Sequence, residues 1–289
     1  MKNHEIHIRD PFVLVHDGKY YLYGTRGKDA WTTVSGFDVY VGDDLENWSG
    51  PISVFEANDD FWGKRQFWAP EVHAYRGKFY MFASFYADGH WRASHILVSE
   101  RPEGPFVPLT KEAVTPKDWA CLDATLFVDE AEKPYLVFCH EWTQIGDGTI
   151  NYVPMTEDLT AWDGEVTTLF SASSHPLNGF IENPEWGRGC VTDGPFLWRT
   201  QNDRLLMMWS SNSKDGNYQQ ILSESESGKI AGPWRHLSVP IFERDGGHGM
   251  VFRDRNGDLR MCLHRPNVHP LERPMFFRVA ETENGLTIV

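Results

Sequence analysis

Residues 9–25 read RDPFVLVHDGKYYLYGT, and this stretch decides the fold. Two runs of β-branched and aromatic residues flank Asp17-Gly18, a strong signal for a two-residue hairpin turn. Four relatives follow: WAPEVHAYRGKFYMFAS at 68–84, LDATLFVDEAEKPYLVFCH at 122–140, TDGPFLWRTQNDRLLMMWSS at 192–211 and GGHGMVFRDRNGDLRMCLH at 246–264. Matching their second strands aligns Tyr20, Phe79, Pro134, Leu205 and Leu259, at steps of 59, 55, 71 and 54 residues. Five units in 289 residues give about 58 residues each.

A second motif falls between the hairpins. DDLENWSGPISVF from Asp43 and TEDLTAWDGEVTTLF from Thr156 share an Asp-Leu-x-x-Trp turn followed by a strand. ERPEGPFVPL from Glu100 and SGKIAGPWRHLSVPIF from Ser227 carry a Gly-Pro-aromatic turn in the same place. Each unit thus holds a hairpin, a third strand, a turn and a fourth strand. The first strands are apolar on both faces (Phe12, Val13, Leu14, Val15), as expected of sheets packed between sheets. Five four-stranded sheets arranged radially make an all-β, five-bladed β-propeller, expected to occupy residues 1–289 as one catalytic domain. The period is too long for a solenoid coil, the four-strand grammar too regular for a sandwich, and the signature of WD-type repeats is absent.

Acidic residues outnumber basic ones 41 to 27, and the isoelectric point lies near 5.3. This balance argues against a nucleic-acid partner, because few cations are available to neutralise phosphates. The longest apolar runs, such as LLMMW at 205–209, fall far short of the ~20 residues of a membrane helix. The opening MKNHEIHIRDPF has no apolar signal-peptide core, so a cytoplasmic location is expected unless a leader has been removed. Cys121, Cys139, Cys190 and Cys262 lack C-x-x-C spacing and read as buried small hydrophobes. The 12 Trp, 10 Tyr and 18 Phe supply flat apolar faces suited to sugar rings as well as to a core.

In a propeller the first strand of each blade lines the central channel. The starts of these strands then share one face with the loops after strands two and four, while the Asp-Gly hairpin tips lie on the other. The long segments 56–67, 110–120 and 171–190 fall on the first face, where binding loops are expected. The strand starts supply Asp10, Glu71, Asp123, Asp193 and His248, one ionisable residue per blade. Carboxylates crowded at one channel mouth repel, which raises some pKa values and suits acid–base work. A single His without a denser ligand pattern fits zinc poorly. Motifs for a nucleophilic serine, a P-loop or a dinucleotide are absent, so the carboxylates point to glycoside hydrolysis.

At these residues the sequence resembles glycoside hydrolase family 43. The matching pieces are Arg9-Asp10-Pro11, Trp68-Ala69-Pro70-Glu71, Leu122-Asp123-Ala124, Asp193-Gly194-Pro195 and Gly247-His248-Gly249. The resemblance implies a five-bladed propeller that hydrolyses α-L-arabinofuranosides and β-D-xylosides with inversion. It implies Asp10 as general base and Asp123 as the carboxylate that orients the acid and tunes its pKa. It further implies Trp68 as a sugar contact, and His248 as a channel histidine associated through water with a calcium ion; no cofactor is otherwise expected. The family's acid is usually Glu, whereas Asp193 stands here, about 1.5 Å shorter in reach; Glu182 or Glu185 is the alternative acid. Glu71, Glu141, Trp142 and Arg265 are further substrate-contact candidates. Family β-xylosidases often carry a C-terminal β-sandwich for which this chain has no room. An exo-acting α-L-arabinofuranosidase on plant-type arabinan or arabinoxylan oligosaccharides is therefore expected, with a β-D-xylosidase or a non-catalytic glycan-binding propeller as alternatives.

Overall fold

In the computed structural model, which describes residues 1–27, 30–32 and 35–289, five four-stranded antiparallel sheets follow one another along the chain. The first blade is β1 (Ile8–His16), β2 (Lys19–Arg26), β3 (Gly36–Gly42) and β4 (Ser49–Glu56). The second is β5 (Arg65–Tyr75), β6 (Lys78–Tyr86), β7 (Ala93–Ser99) and β8 (Val107–Pro108), and the third β9 (Cys121–Val128), β10 (Pro134–His140), β11 (Thr149–Pro154) and β12 (Thr167–Ser171). A small hairpin, β13 (Ile181–Asn183) and β14 (Gly187–Gly189), precedes the fourth blade, which accounts for the long 71-residue step. The fourth blade is β15 (Asp193–Arg199), β16 (Leu205–Asn212), β17 (Tyr218–Ser225) and β18 (Trp234–His236). The fifth is β19 (Gly247–Arg253), β20 (Leu259–Arg265), β21 (Arg273–Thr282) and β22 (Gly285–Ile288). The architecture is the five-bladed propeller that the hairpin spacing predicts.

Local chemistry explains the turns. Asp17 and Gly18 both take positive φ (46° and 71°), the backbone that matches the right-handed twist of the strands they join. In the two Asp-Leu-x-x-Trp turns, Asp44 accepts from the Glu46 amide at 2.8 Å and Asp158 from the Thr160 amide at 3.1 Å, the side chain closing the turn itself.

The core consists of five seams between adjacent blades. Between the first two, Tyr23, Phe37 and Phe55 meet Phe67, Met81 and Phe85. Between the last and the first, Met250, Phe252 and Cys262 meet Phe12, Leu22 and Tyr40. All four cysteines are buried free thiols. Each large side chain so buried is worth roughly 1.5–3 kcal/mol. No helix among the described residues is long and apolar enough to cross a membrane.

One irregularity repeats and builds the site. Near its start every inner strand has a register shift, between Arg9 and Phe12, Trp68 and Glu71, Leu122 and Thr125, Asp193 and Phe196, and Gly247 and Met250. The bulged residue is left-handed in all five: Asp10, Ala69, Asp123, Gly194 and His248 have φ between 48° and 55°. Four of these are not glycine, and such a conformation costs an L-residue roughly 1–2 kcal/mol. Strain of this kind gathers where side chains must be aimed for function.

Candidate active site

The bulges set the true register of the channel mouth. Asp10, Asp123 and His248 occupy equivalent positions, and the second and fourth blades place Ala69 and Gly194 there. Asp193 therefore sits one residue before the bulge, in line with Arg9, Trp68, Leu122 and Gly247. Glu71 sits two residues beyond it, one step deeper in the channel, level with Phe12. The expectation of five equivalent ionisable strand starts is corrected accordingly: three are equivalent and two are offset.

A chain of links ties each bulge to the blade before it. The Ala69 amide donates to Oγ1 of Thr25 at 2.7 Å, the Asp123 amide to Oγ of Ser84 at 2.9 Å, and the His248 amide to Oγ of Ser210 at 2.8 Å. The Asp10 amide donates to Nδ1 of His264 at 3.2 Å, which joins the fifth blade to the first. Thr25, Ser84, Ser210 and His264 stand at one repeated position of the second strand, opposite the residue that precedes the bulge. The third blade has Cys139 at that position. There the Gly194 amide donates instead to Oδ2 of Asp123, at 2.9 Å. The carboxylate is thereby aimed at the backbone beside Asp193.

Asp10 is buried and accepts at Oδ2 from the Thr25 hydroxyl at 2.6 Å. Its Oδ1 lies 3.2 Å from Nδ1 of His248 and 4.0 Å from Nε of Arg9. Burial pushes its pKa up, but His248, Arg9 and the Thr25 hydrogen bond together outweigh burial, so it falls below the usual carboxylate value. His264 is driven down to about 3, chiefly by burial, and is neutral. Its Nδ1 accepts from the Asp10 amide, which leaves Nε2–H to donate to Oδ1 of Asn267 at 3.1 Å.

The other two carboxylates shift the opposite way. Burial raises Asp123 well above the usual range, with the Asp10 charge adding to it against the Gly194 hydrogen bond. Burial, then Asp123, pushes Asp193 up to about 7, partly opposed by His248 and by the Tyr218 hydroxyl, which donates to Oδ2 of Asp193 at 3.0 Å. One pocket therefore holds one carboxylate kept ionised, Asp10, and two carboxyls, Asp123 and Asp193, that keep their protons to higher pH. Titratable groups pushed apart in this way are the mark of an assigned base and acid.

The pocket over these groups is a cavity of about 160 Å³. Asp10, Asp123, Asp193, His248, Trp68, Glu141 and Trp142 line it, as the sequence suggested. Arg9, Trp31, Arg92 and Trp186, which the sequence reading did not single out, line it as well. Arg92 lies over the Trp68 ring, 3.8 Å from its centroid, and donates to Glu141 at 3.2 Å and to Gln66 at 2.9 Å. The pocket is too narrow for a drug-sized ligand, which needs about 300 Å³ or more, and suits one sugar ring.

Four expected residues lie outside the pocket lining. Glu182 is exposed on the β13–β14 hairpin, 3.6 Å from Arg188, and Glu185 is exposed beside it. Arg265 is exposed and donates to the Arg244 carbonyl, because strand alternation turns His264 inward and the next residue outward. Glu71 is buried below, 3.2 Å from Nε2 of His73. Calcium prefers six to eight oxygen ligands. Nε2 of His248 is buried without a hydrogen-bond partner, but it is a nitrogen, and among the described residues no three His, Cys, Asp or Glu side chains form a metal cluster. The described side chains therefore offer a calcium ion no direct cluster of ligands at His248; the contact that the resemblance implies there is one through water.

Gly194 is a tight point of this arrangement. A Cβ added there would lie 2.7 Å from Cδ2 of His248, on a backbone whose φ of 51° already strains other residues. Gly194→Ala is expected to lower stability by about 2 kcal/mol or more, combining strain and overpacking. It should also impair turnover, since His248 would be pushed from Asp10. Thermal unfolding and kinetics of the one variant check both.

The chain is similar to known glycoside hydrolases. Over 150 residues the chain is 28% identical to the xylosidase/arabinosidase 43A of Humicola insolens, covering 47% of this chain and less than half (45%) of that enzyme. Over 247 residues it is 21% identical to an extracellular exo-α-(1→5)-L-arabinofuranosidase of Cellvibrio japonicus, covering 78% of this chain and 69% of that one. The crystal structure of an endo-arabinase from Bacteroides thetaiotaomicron superposes with a TM-score of 0.92 at 37% identity, over 98% of both chains. The model of the glycosyl hydrolases family 43 matches residues 5–283. With all five inner strands inside that match, the chain belongs to family 43 and is a glycoside hydrolase.

Proposed function

We propose that the protein is an inverting, exo-acting hydrolase of terminal pentosyl residues, foremost an α-L-arabinofuranosidase on arabinan-type oligosaccharides. The observation that carries this reading is the pair in one pocket, Asp10 held ionised and Asp193 raised to about 7. Asp10 takes a proton from water as its oxygen attacks the anomeric carbon. Asp193 gives its proton to the departing glycosidic oxygen as that bond breaks. Asp123 stays close to both, holding the Gly194 backbone and, with it, the acid. The small cavity between Trp31, Trp68, Trp142 and Trp186 favours one terminal sugar over a passing chain.

A second reading, endo-action on arabinan, is favoured by the likeness to the Bacteroides endo-arabinase. The Humicola relative named a xylosidase/arabinosidase keeps β-D-xylosides in view. Relatives from Cellvibrio and Bacillus subtilis are named extracellular, which weighs towards a secreted protein over the cytoplasmic expectation.

Aryl arabinofuranosides, xylosides and galactosides, followed by NMR for the first anomer released, test the reading together with linear arabino-oligosaccharides. Inverted arabinose released from the outset is expected. A retained anomer overturns inversion, early release of mixed oligomers overturns exo-action, and no turnover on any substrate leaves a glycan-binding propeller.

A further inference from the structure

The acid position of this chain is one methylene shorter than a glutamate would be, and the fold supplies a partner at that point. Tyr218 opens β17, the third strand of its blade, yet its hydroxyl reaches Oδ2 of Asp193 at 3.0 Å. The ring is buried and stacks on His264 with 5.7 Å between centroids and 19° between planes. Gly247 leaves room for it, since a Cβ there would lie 2.7 Å from Cε1 of Tyr218. His264 in turn holds the Asp10 amide. One rigid bridge therefore runs from the carboxylate of the fourth blade to the backbone of the first.

We propose that Tyr218 is the positioning residue that lets an aspartate act as the proton donor: its hydroxyl fixes which oxygen of Asp193 carries the proton and stabilises the charge left when that proton departs. This rests on the reading of Asp193 as general acid. The phenol donates to Oδ2, so a neutral Asp193 that accepts this bond carries its proton on Oδ1. During the reaction the Oδ1–H bond breaks, a new O–H bond forms on the leaving oxygen, and Asp193 becomes a carboxylate. The Tyr218 bond then becomes charge-assisted, roughly twice as strong as the neutral one. It strengthens as the transition state forms, which is when an interaction accelerates a reaction.

The surroundings keep Tyr218 a donor throughout. Burial raises its phenol far above the usual value, and the charges of Asp193 and Asp10 add to this against Arg9. Asp193 is faced by Asp10 from β1, Asp123 from β9, His248 from β19 and Tyr218 from β17, and its charge is felt by the Cys139 thiol on β10. Of these partners only Tyr218 donates a hydrogen bond to it and can be reduced to a near-isostere, Tyr218→Phe, without changing formal charge.

Wild type, Tyr218→Phe and Asp193→Ala are compared on aryl arabinofuranosides of graded leaving-group ability. Tyr218→Phe should lose on the order of 10–100-fold in kcat on poor leaving groups, a share of the 10²–10⁴ of general acid catalysis, with KM little changed. Dinitrophenyl substrates should be spared, and the alkaline limb of the pH profile should move up, because a bond favouring the charged acid is gone. Uniform slowing with an unmoved limb marks a structural role and overturns the proposal while the acid assignment stands. If Asp193→Ala itself shows no leaving-group dependence, the acid assignment falls and the proposal with it. Should Tyr218→Phe fail to fold, 3,5-difluorotyrosine at position 218 keeps the shape and strengthens the donor. The Asp193 carboxyl, followed by carbon-13 NMR, should then titrate at lower pH, and an unchanged midpoint overturns the proposal.

Discussion

Asp10→Ala is expected to abolish turnover on every glycoside, activated or not, with a loss of about 10³–10⁴-fold in kcat. The leaving group cannot rescue it, because the lost step is activation of water and not protonation of the departing oxygen. Oligosaccharide binding should stay near wild type, since a base that holds water makes little contact with the ground-state sugar. Isothermal titration beside kinetics separates the two effects. Asp10 also accepts from Thr25 and neighbours His248, so Asp10→Asn, which keeps the shape, should show the same loss. A variant that keeps most of its rate removes Asp10 from the mechanism.

Asp193→Ala should divide substrates by leaving group. Arabino-oligosaccharides, whose alkoxide departs poorly, should slow by about 10²–10⁴-fold, while dinitrophenyl glycosides stay within a few-fold of wild type. The pH profile carries the same signature with a definite sign. The acid works only when protonated, so wild-type kcat/KM should fall as pH rises through about 7, where Asp193 loses its proton. In the alanine variant on an activated substrate, that alkaline limb should vanish. Asp193→Glu restores the family's reach and should retain far more activity than alanine. If Asp193→Ala slows all substrates alike, the acid lies elsewhere.

The five blades were legible because each repeats a short hairpin turn between two apolar strands, two residues long in the first two blades and five in the other three, a local signal. Asp10, Asp123 and His248 were legible for the same reason, each falling at the same point before its hairpin. Glu71 was misplaced by alignment on ionisable residues instead of on Trp68-Ala69-Pro70, which matches Arg9-Asp10-Pro11 and puts Ala69 at the bulge. Arg265 was misread because one residue decides the face of a strand: His264 is fully buried and its neighbour is exposed. Arg92, Trp31, Trp186 and Tyr218 come from loops and a third strand, outside the repeated hairpin. Their arrival at the mouth depends on how blades tilt and pack, which no periodicity encodes. Cys139 did carry a signal, as the odd member among Thr25, Ser84, Ser210 and His264, but its meaning needs the register of all five strands.

The joint between the fifth and first blades has a consequence for how the enzyme wears out. Side chains close it: Arg9 donates to Glu272 at 2.6 Å and to Asn267 at 2.9 Å, and His264 receives the Asp10 amide. Arg9 also lines the pocket, and the next residue is Asp10, the proposed base. The clasp and the cutting edge are thus the same two residues. A propeller warmed until this joint gapes has lost its water-activating carboxylate while its five sheets remain intact. Such a molecule would still look folded by circular dichroism and would already be a spent catalyst, recoverable on cooling.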